Sequence, residues 1–423
     1  IEVDRRGHTL DRSWRWRVWA TALLLVCLPA IGAESRAAQD NPAAEEQISN
    51  LVSGSGYIDS LLIKKEFPVI GGRWSWEAFI DAPLNSEPDG AEVTLRRAKL
   101  KYVRSFGNDW RLKLTGDYNS GGGLELSDTY VSYSGWKRAL LTLGISDPAF
   151  SLESVSQSSA LTFMERGLPV AALSEGKSGG VSFLKRSHHS ILNASVLLFS
   201  VNRDNLREKG QGIVLHYVYS PVEYGKADSI HLGGSFSYRI NASEDNTQFR
   251  SRPEVATMND YFVDTGPIAG AEQVSRMSLE ASQVLGRFSW QSEILAARVK
   301  RAGFSTVEFW GAYAYASWFL TQDTRRYDFG SGSFEQVQVG SPVLQGGAGA
   351  FELGLRLSYV DLTDQDVTGG KERNLSLGLN WYLNQRARLM INIVTVRDLD
   401  RPGSELDGQD PLIFSVRAQW VVH

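Results

Sequence analysis

The chain has 423 residues, of which 42% are hydrophobic and 22% charged, with 40 Gly, 13 Pro, one Cys and a formal net charge of −4. So balanced a charge excludes a nucleic-acid binder that works by bulk attraction. The single cysteine excludes a disulfide framework, and beyond residue 33 no apolar run reaches the roughly 20 residues that a spanning helix needs.

In chain order, Arg12, Arg15 and Arg17 form a basic region, 18–31 is apolar, and Ile31-Gly32-Ala33 offers small residues for cleavage. That order predicts an export signal over 1–33; a membrane anchor would need a longer run. Cys27 falls inside the signal, so an exported remainder has no thiol for catalysis or metal binding. Residues 34–71, polar and acidic with a possible short helix around 42–51, read as a periplasmic lead-in, and 72–423 as one domain.

From residue 72 onward, apolar and polar side chains alternate between turn residues, and a period of two predicts strands. They fall at 72–81, 92–104, 109–118, 127–134, 139–145, 178–186, 190–200, 211–220, 230–240, 275–285, 287–298, 307–319, 351–360, 373–383, 387–397 and 412–422. Strand 109–118 would turn Trp110, Leu112, Leu114 and Tyr118 to lipid and Arg111, Lys113, Thr115 and Asp117 inward. A soluble sandwich also alternates. The connections, however, divide into short ones (105–108, 135–138, 187–189, 221–229) and long ones (146–177, 241–274, 321–350), the asymmetry of short periplasmic turns and long external loops. The expected fold is all-β: a transmembrane antiparallel barrel of about 16 strands.

The most specific stretch is Gly349-Ala-Phe-Glu-Leu-Gly-Leu-Arg-Leu-Ser-Tyr-Val-Asp361, then Gly369-Gly370 read as a turn, then Leu377-Gly-Leu-Asn-Trp-Tyr-Leu-Asn384. Upstream stand Arg96-Arg-Ala-Lys-Leu100, Asp109-Trp-Arg-Leu-Lys-Leu114, Phe150-Ser-Leu-Glu153 and Phe163-Met-Glu-Arg166. Together these resemble the phosphate-selective porin O and P family over roughly residues 72–420. The resemblance implies an outer-membrane porin of the bacterial cell, usually a homotrimer, that passes phosphate or related oxyanions and whose third loop folds inward as a constriction. The family's dense row of inward arginines is thinner here, and the chain ends Trp420-Val-Val-His423 where such proteins commonly finish on an aromatic residue.

A pore needs no catalytic group and no cofactor; it needs lining charge that favours entry and still lets the ion leave. Strand parity turns Arg97, Lys99, Lys101, Arg111, Lys113, Arg239, Arg276 and Arg356 inward, with Arg388 and Arg417. The first five, on two adjacent hairpins, form a candidate anion track. An arginine fork donates two parallel hydrogen bonds to an oxyanion, whereas lysine is a point charge. In the loop 146–177, the segment 162–166 with Lys177 is the candidate constriction; there Glu165 and Arg166 either contact solute or pair to hold the loop on the wall. Two other readings stay open: a weakly selective diffusion pore whose cations are paired to Asp117, Asp128, Glu280, Glu293 and Glu352, and a blocked barrel whose long connections are the active parts. No nucleophile elbow or spaced carboxylate pair suggests an enzyme, and His188-His189 falls in a predicted tight turn rather than a metal site. The expected partners are outer-membrane lipid, small anions such as phosphate, and copies of the same chain.

Overall fold

The computed structural model describes residues 72–422 apart from 84–92, 120–122, 202–209, 222–227, 242–246, 256, 257 and 259. The expected export signal and lead-in, with Cys27, lie outside the described residues. The wall is built from β1 (Arg73–Pro83), β2 (Thr94–Phe106), β3 (Trp110–Asn119), β4 (Gly123–Leu126), β5 (Thr129–Tyr133), β6 (Ala139–Ser146), β7 (Ser178–Arg186), β8 (Ser190–Ser200), β9 (Gly210–Tyr219) and β10 (Ser229–Asn241). It continues through β13 (Ala271–Leu285), β14 (Phe288–Arg301), β15 (Val307–Phe319), β18 (Ala350–Asp364), β19 (Val367–Tyr382), β20 (Ala387–Asp400) and β21 (Leu412–Val422). The missing numbers are two small hairpins in connections, β11 (Arg250–Ser251) with β12 (Val263–Asp264), and β16 (Arg326–Asp328) with β17 (Ser333–Glu335).

Each wall strand pairs antiparallel with its neighbours in sequence, and β21 pairs with β1. β4 and β5 both pair with β3 and form one strand interrupted at Ser127-Asp128, so the wall is a closed barrel of 16 strands. All the predicted strands are present. Closure leaves no unpaired edge, which lipid would penalise. The row Leu353, Leu355, Leu357 and its neighbours Leu375 and Leu377 are exposed on the outer face, while Glu352, Arg356, Ser358, Asn374 and Ser376 are buried inside. Aromatic pairs mark both rims: Phe351 stacks on Trp381 (5.7 Å) and Trp110 packs tilted against Tyr133 (4.8 Å) at one end, and Trp310 packs tilted against Tyr359 (5.1 Å) at the other. Such girdles sit at membrane interfaces.

Two expectations need correction. Gly369-Gly370 lies within β19, and the β18–β19 turn is Gln365-Asp366, with Gln365 at φ +54°. Gly369 is needed for close approach, since a Cβ there would stand 2.6 Å from the Leu362 carbonyl oxygen. The connection 320–349 is long, yet strand alternation places it at the end of the barrel that carries the short turns 107–109, 134–138 and 286–287. Length alone misassigned it, because connections at the opposite end can be as short as 365–366.

Candidate functional site

Inside the wall, β1 and β2 carry alternating charge. Glu77 stands opposite Lys99 in register, and Arg97 opposite Phe79. The register shifts between Phe79 and Ile80, whose partners are Arg97 and Leu95, so Arg96 is a bulge residue. A bulge adds a residue to one strand and re-aims its side chain. Arg96 therefore faces the interior beside Arg97, which strict parity does not foresee. Arg97 Nη2 donates to Asp117 Oδ2 at 2.7 Å and Nη1 to Ser158 Oγ at 2.8 Å. The Lys99 ammonium is 3.7 Å from both Glu77 and Asp117, and that of Lys101 is 3.7 Å from Glu77. Lys113 Nζ donates to Asp128 at 2.9 Å. These four side chains keep 13–21% exposure and face the lumen. Arg111 shares the inward row with Lys113 but lies exposed at the turn end.

The connection 147–177 folds into the barrel as α1 (Leu152–Val155), a short 3-10 turn (Ser158–Ala160) and α2 (Leu168–Leu173). Ser151 begins α1 with a reciprocal capping box to Ser154, and Pro169 suits the first turn of α2 because its missing N–H is not needed there. Lys177 closes the base of the loop, donating to Asp147 at 2.9 Å and to Asp128 at 2.7 Å. It is a staple between loop and wall. Arg166 does not pair with Glu165; its guanidinium donates to the carbonyl oxygens of Glu153, Ser154 and Ser156 and holds the turn after α1. Glu165 is gripped by Arg96 at 3.3 Å and by Arg417 at 2.6 Å, and Arg417 also forks onto Asp81 with both bonds at 2.6 Å. Burial opposes ionisation of Glu165, but the two guanidiniums outweigh it and hold its pKa down at about 2.

The remaining predicted arginines point inward as parity requires, yet they are sealed beneath the loops. Glu175 accepts from Arg239 at 2.8 Å, from Arg276 at 3.0 Å and from Ser237 at 2.5 Å. Its burial opposes charge, and Arg276 and Arg239 reverse that and lower its pKa. Arg356 sits 2.6 Å from Glu254 and 3.7 Å from Glu153, with its ring-facing side 4.3 Å from the Phe163 centroid. Glu254 belongs to a second inward segment, 247–270, whose Phe249, Phe262 and Val263 join Phe163, Leu168 and Phe309 in one apolar core. Arg239, Arg276 and Arg356 are thus ties that hold these segments to the wall, with 1%, 4% and 0% exposure. Of the paired-lumen carboxylates, Glu280 accepts from His216 at 2.6 Å and His231 at 3.0 Å, and Glu352 from Asn380 at 3.0 Å and Tyr382 at 2.7 Å.

A third segment enters from the turn end. In 320–349 the β16–β17 hairpin buries Phe334 against Leu152 and Val284. Its Tyr327 hydroxyl meets His231 Nδ1 at 2.6 Å, and Arg186 donates to the Gly330 carbonyl oxygen at 2.5 Å. The hairpin therefore leaves the β15–β18 side and reaches β7 and β10 across the opening. Among the described residues no cluster of three or more His, Asp or Glu side chains is arranged for a metal. What the arrangement can do is narrow a water path and lay a charged wall beside it.

A closed antiparallel barrel of 16 strands with loops folded into its lumen is the fold of outer-membrane porins. The chain belongs to the phosphate-selective porin O and P family, whose model matches residues 69–421. It is 22% identical to porin O of Pseudomonas aeruginosa over 412 residues, covering 88% of this chain and 92% of that one. It is 29% identical to an uncharacterized protein of Caulobacter vibrioides over 310 residues, 67% of this chain and 61% of that protein's length. Among solved structures, a loop-deletion mutant of OmpT from Vibrio cholerae superposes with TM-score 0.53 at 11% identity, covering 83% of this chain and 99% of that one. The anion-selective porin of Comamonas acidovorans gives 0.50 at 14%, covering 83% and 100%. At these identities the likeness is one of fold.

Proposed function

We propose that this porin conducts small anions passively, phosphate and related oxyanions among them, along the wall formed by Arg97, Lys99, Lys101 and Lys113. One observation carries the reading: these four cations share one stretch of wall and remain partly exposed, and Arg97 meets the inward loop at Ser158. Positive charge on a narrow, low-dielectric path lowers the cost of an anion leaving bulk water. The family's name and the Comamonas porin's description as anion-selective agree with it. The proposal includes an export signal over 1–33, a lead-in over 34–71, and assembly as a homotrimer, which mass measurement of the refolded protein in detergent tests.

A second reading has its own support. Glu77, Asp117 and Asp128 each neutralise two neighbouring cations, counting Lys177, which favours a weakly selective pore over one that holds phosphate tightly. Planar-bilayer conductance in a KCl gradient, with phosphate then titrated in, decides between them. An anion-signed reversal potential with block by phosphate supports the first reading. A reversal potential near zero without block supports the second, and a cation-signed one refutes the anion path. Absence of conductance steps would mean the three inward segments close the barrel.

A further inference from the structure

The outer face of the wall is apolar through its middle. Toward the end opposite the short turns, its outward-facing cations among the described residues stand on three wall strands. Arg298 and Lys300 lie in the last turn-outs of β14, Lys371 and Arg373 in the first part of β19, and Arg397 near the end of β20. They flank the tilted Trp310–Tyr359 pair that marks this rim, and Tyr359 stands opposite Arg373 in register. Interfacial aromatics sit at the level of lipid headgroups. Part of the charge is balanced on the same face: Arg298 by Glu308 at 3.4 Å, Lys371 by Asp361 at 3.0 Å, and Arg373 by Asp398. Among the described residues no ion pair engages Lys300 or Arg397.

Arg373 on β19 stands directly opposite Arg397 on β20. Like charges in facing positions, with Cβ atoms about 5 Å apart, repel and weaken a sheet. Both side chains are open to the outside, Arg373 with 57% of its side chain exposed. Two residues further along β19 the same face turns to hydrocarbon: Leu375 and Leu377 are exposed, beside Leu357 on β18 and Ile391 on β20. At about 3.4 Å per residue, Leu375 lies roughly 7 Å below Arg373. The arrangement is therefore amphiphilic, with two guanidiniums above a lipid-facing leucine surface. An arginine fork matches phosphate oxygens, and a phosphate between the two would turn their repulsion into shared attraction. We infer that the Arg373–Arg397 pair docks the phosphate of a lipid headgroup in the outer leaflet, with the acyl chains lying along Leu375, Leu377 and Leu357. Glu308, Asp361, Asp398 and Asp400 stand among the cations, so bulk attraction is weak and the facing pair does the selecting. The site is on the outside of the wall and does not depend on what the lumen conducts.

The test is native mass spectrometry of the refolded full chain in detergent, titrated with phosphorylated lipid A and, separately, with dephosphorylated lipid A. The wild type prefers the phosphorylated form. In Arg373→Gln/Arg397→Gln its binding weakens about tenfold or more, the loss expected for charge-assisted forks. Arg104→Gln/Lys185→Gln removes two charges from the outer face near the short turns and leaves binding unchanged. Excess inorganic phosphate leaves the lipid bound, because the acyl chains also hold it. Unchanged binding in the Arg373/Arg397 variant, an equal loss in both variants, or equal binding of the two lipids overturns the assignment. Displacement by inorganic phosphate overturns it in favour of a free-ion site. Lipid held by the monomer and lost from the oligomer overturns it in favour of a second copy covering this face.

Discussion

Glu175→Gln is the sharpest perturbation this barrel offers. The carboxylate is fully buried and receives three donors, from Arg239, Arg276 and Ser237. Glutamine keeps the shape and removes the charge, so two buried guanidiniums lose the carboxylate they share. Breaking a buried pair in this way costs about 3–5 kcal/mol, which for a domain of this size corresponds to a fall of the thermal midpoint on the order of 10 °C. Heat-modifiable gel migration or intrinsic tryptophan fluorescence of the refolded protein reads the shift. Adding Arg276→Met to the variant returns part of the loss, since one of the two guanidiniums that shared the carboxylate is then gone. If Glu175→Gln lies within about 1 kcal/mol of wild type, then Glu175 is not the tie that holds Arg239 and Arg276, and those arginines would have to be counted again as accessible lining.

Phe334→Ala removes the side chain that seats the β16–β17 hairpin; large core truncations cost about 3–5 kcal/mol, so the hairpin lifts from the opening and single-channel conductance rises, whereas unchanged conductance means the hairpin does not narrow the path. Replacing Arg97, Lys99 and Lys101 by Ala shifts the reversal potential toward cations, and Asp117→Asn shifts it toward anions by releasing the Arg97 fork; no movement in either removes that wall from the ion path. Glu165 has a depressed pKa, so its hold on the loop is fully present above the ordinary carboxylate range and is lost as pH falls through about 2. Channel current therefore stays quiet at about pH 4 and flickers only under stronger acid; flicker already setting in near the ordinary carboxylate pKa would contradict the clamp by Arg96 and Arg417.

The strands were legible because the solvent differs on the two faces of the wall: Leu353, Leu355 and Leu357 must meet lipid while Glu352, Arg356 and Ser358 must not. Inward direction at Arg239, Arg276 and Arg356 follows from the same parity. Their burial does not, because the groups that cover them come from 147–177 and 247–270, far away in sequence. Arg96 was hidden by a single bulge, which breaks the period that parity depends on. The side of the barrel that holds 320–349 was recoverable by counting strands rather than by comparing loop lengths. Glu175 and Glu254 carried no local signal, since an acidic loop residue looks the same in sequence whether it faces water or a buried guanidinium.

The clamp on Glu165 also has a bearing on the order of assembly. Arg417 lies in the final wall strand, 252 residues after Glu165 and 336 after the Asp81 it also grips. A chain threaded into the membrane from its beginning would have the loop in hand long before the residue that seats it. Whichever strand inserts first, the clamp on the narrow passage is complete only when β21 and β1 have met, since it needs Arg417 from one and Asp81 from the other. A nascent or truncated barrel lacking that strand would leave its loop unfastened, and a leak through such a species would report unfinished closure rather than the filter of the finished channel.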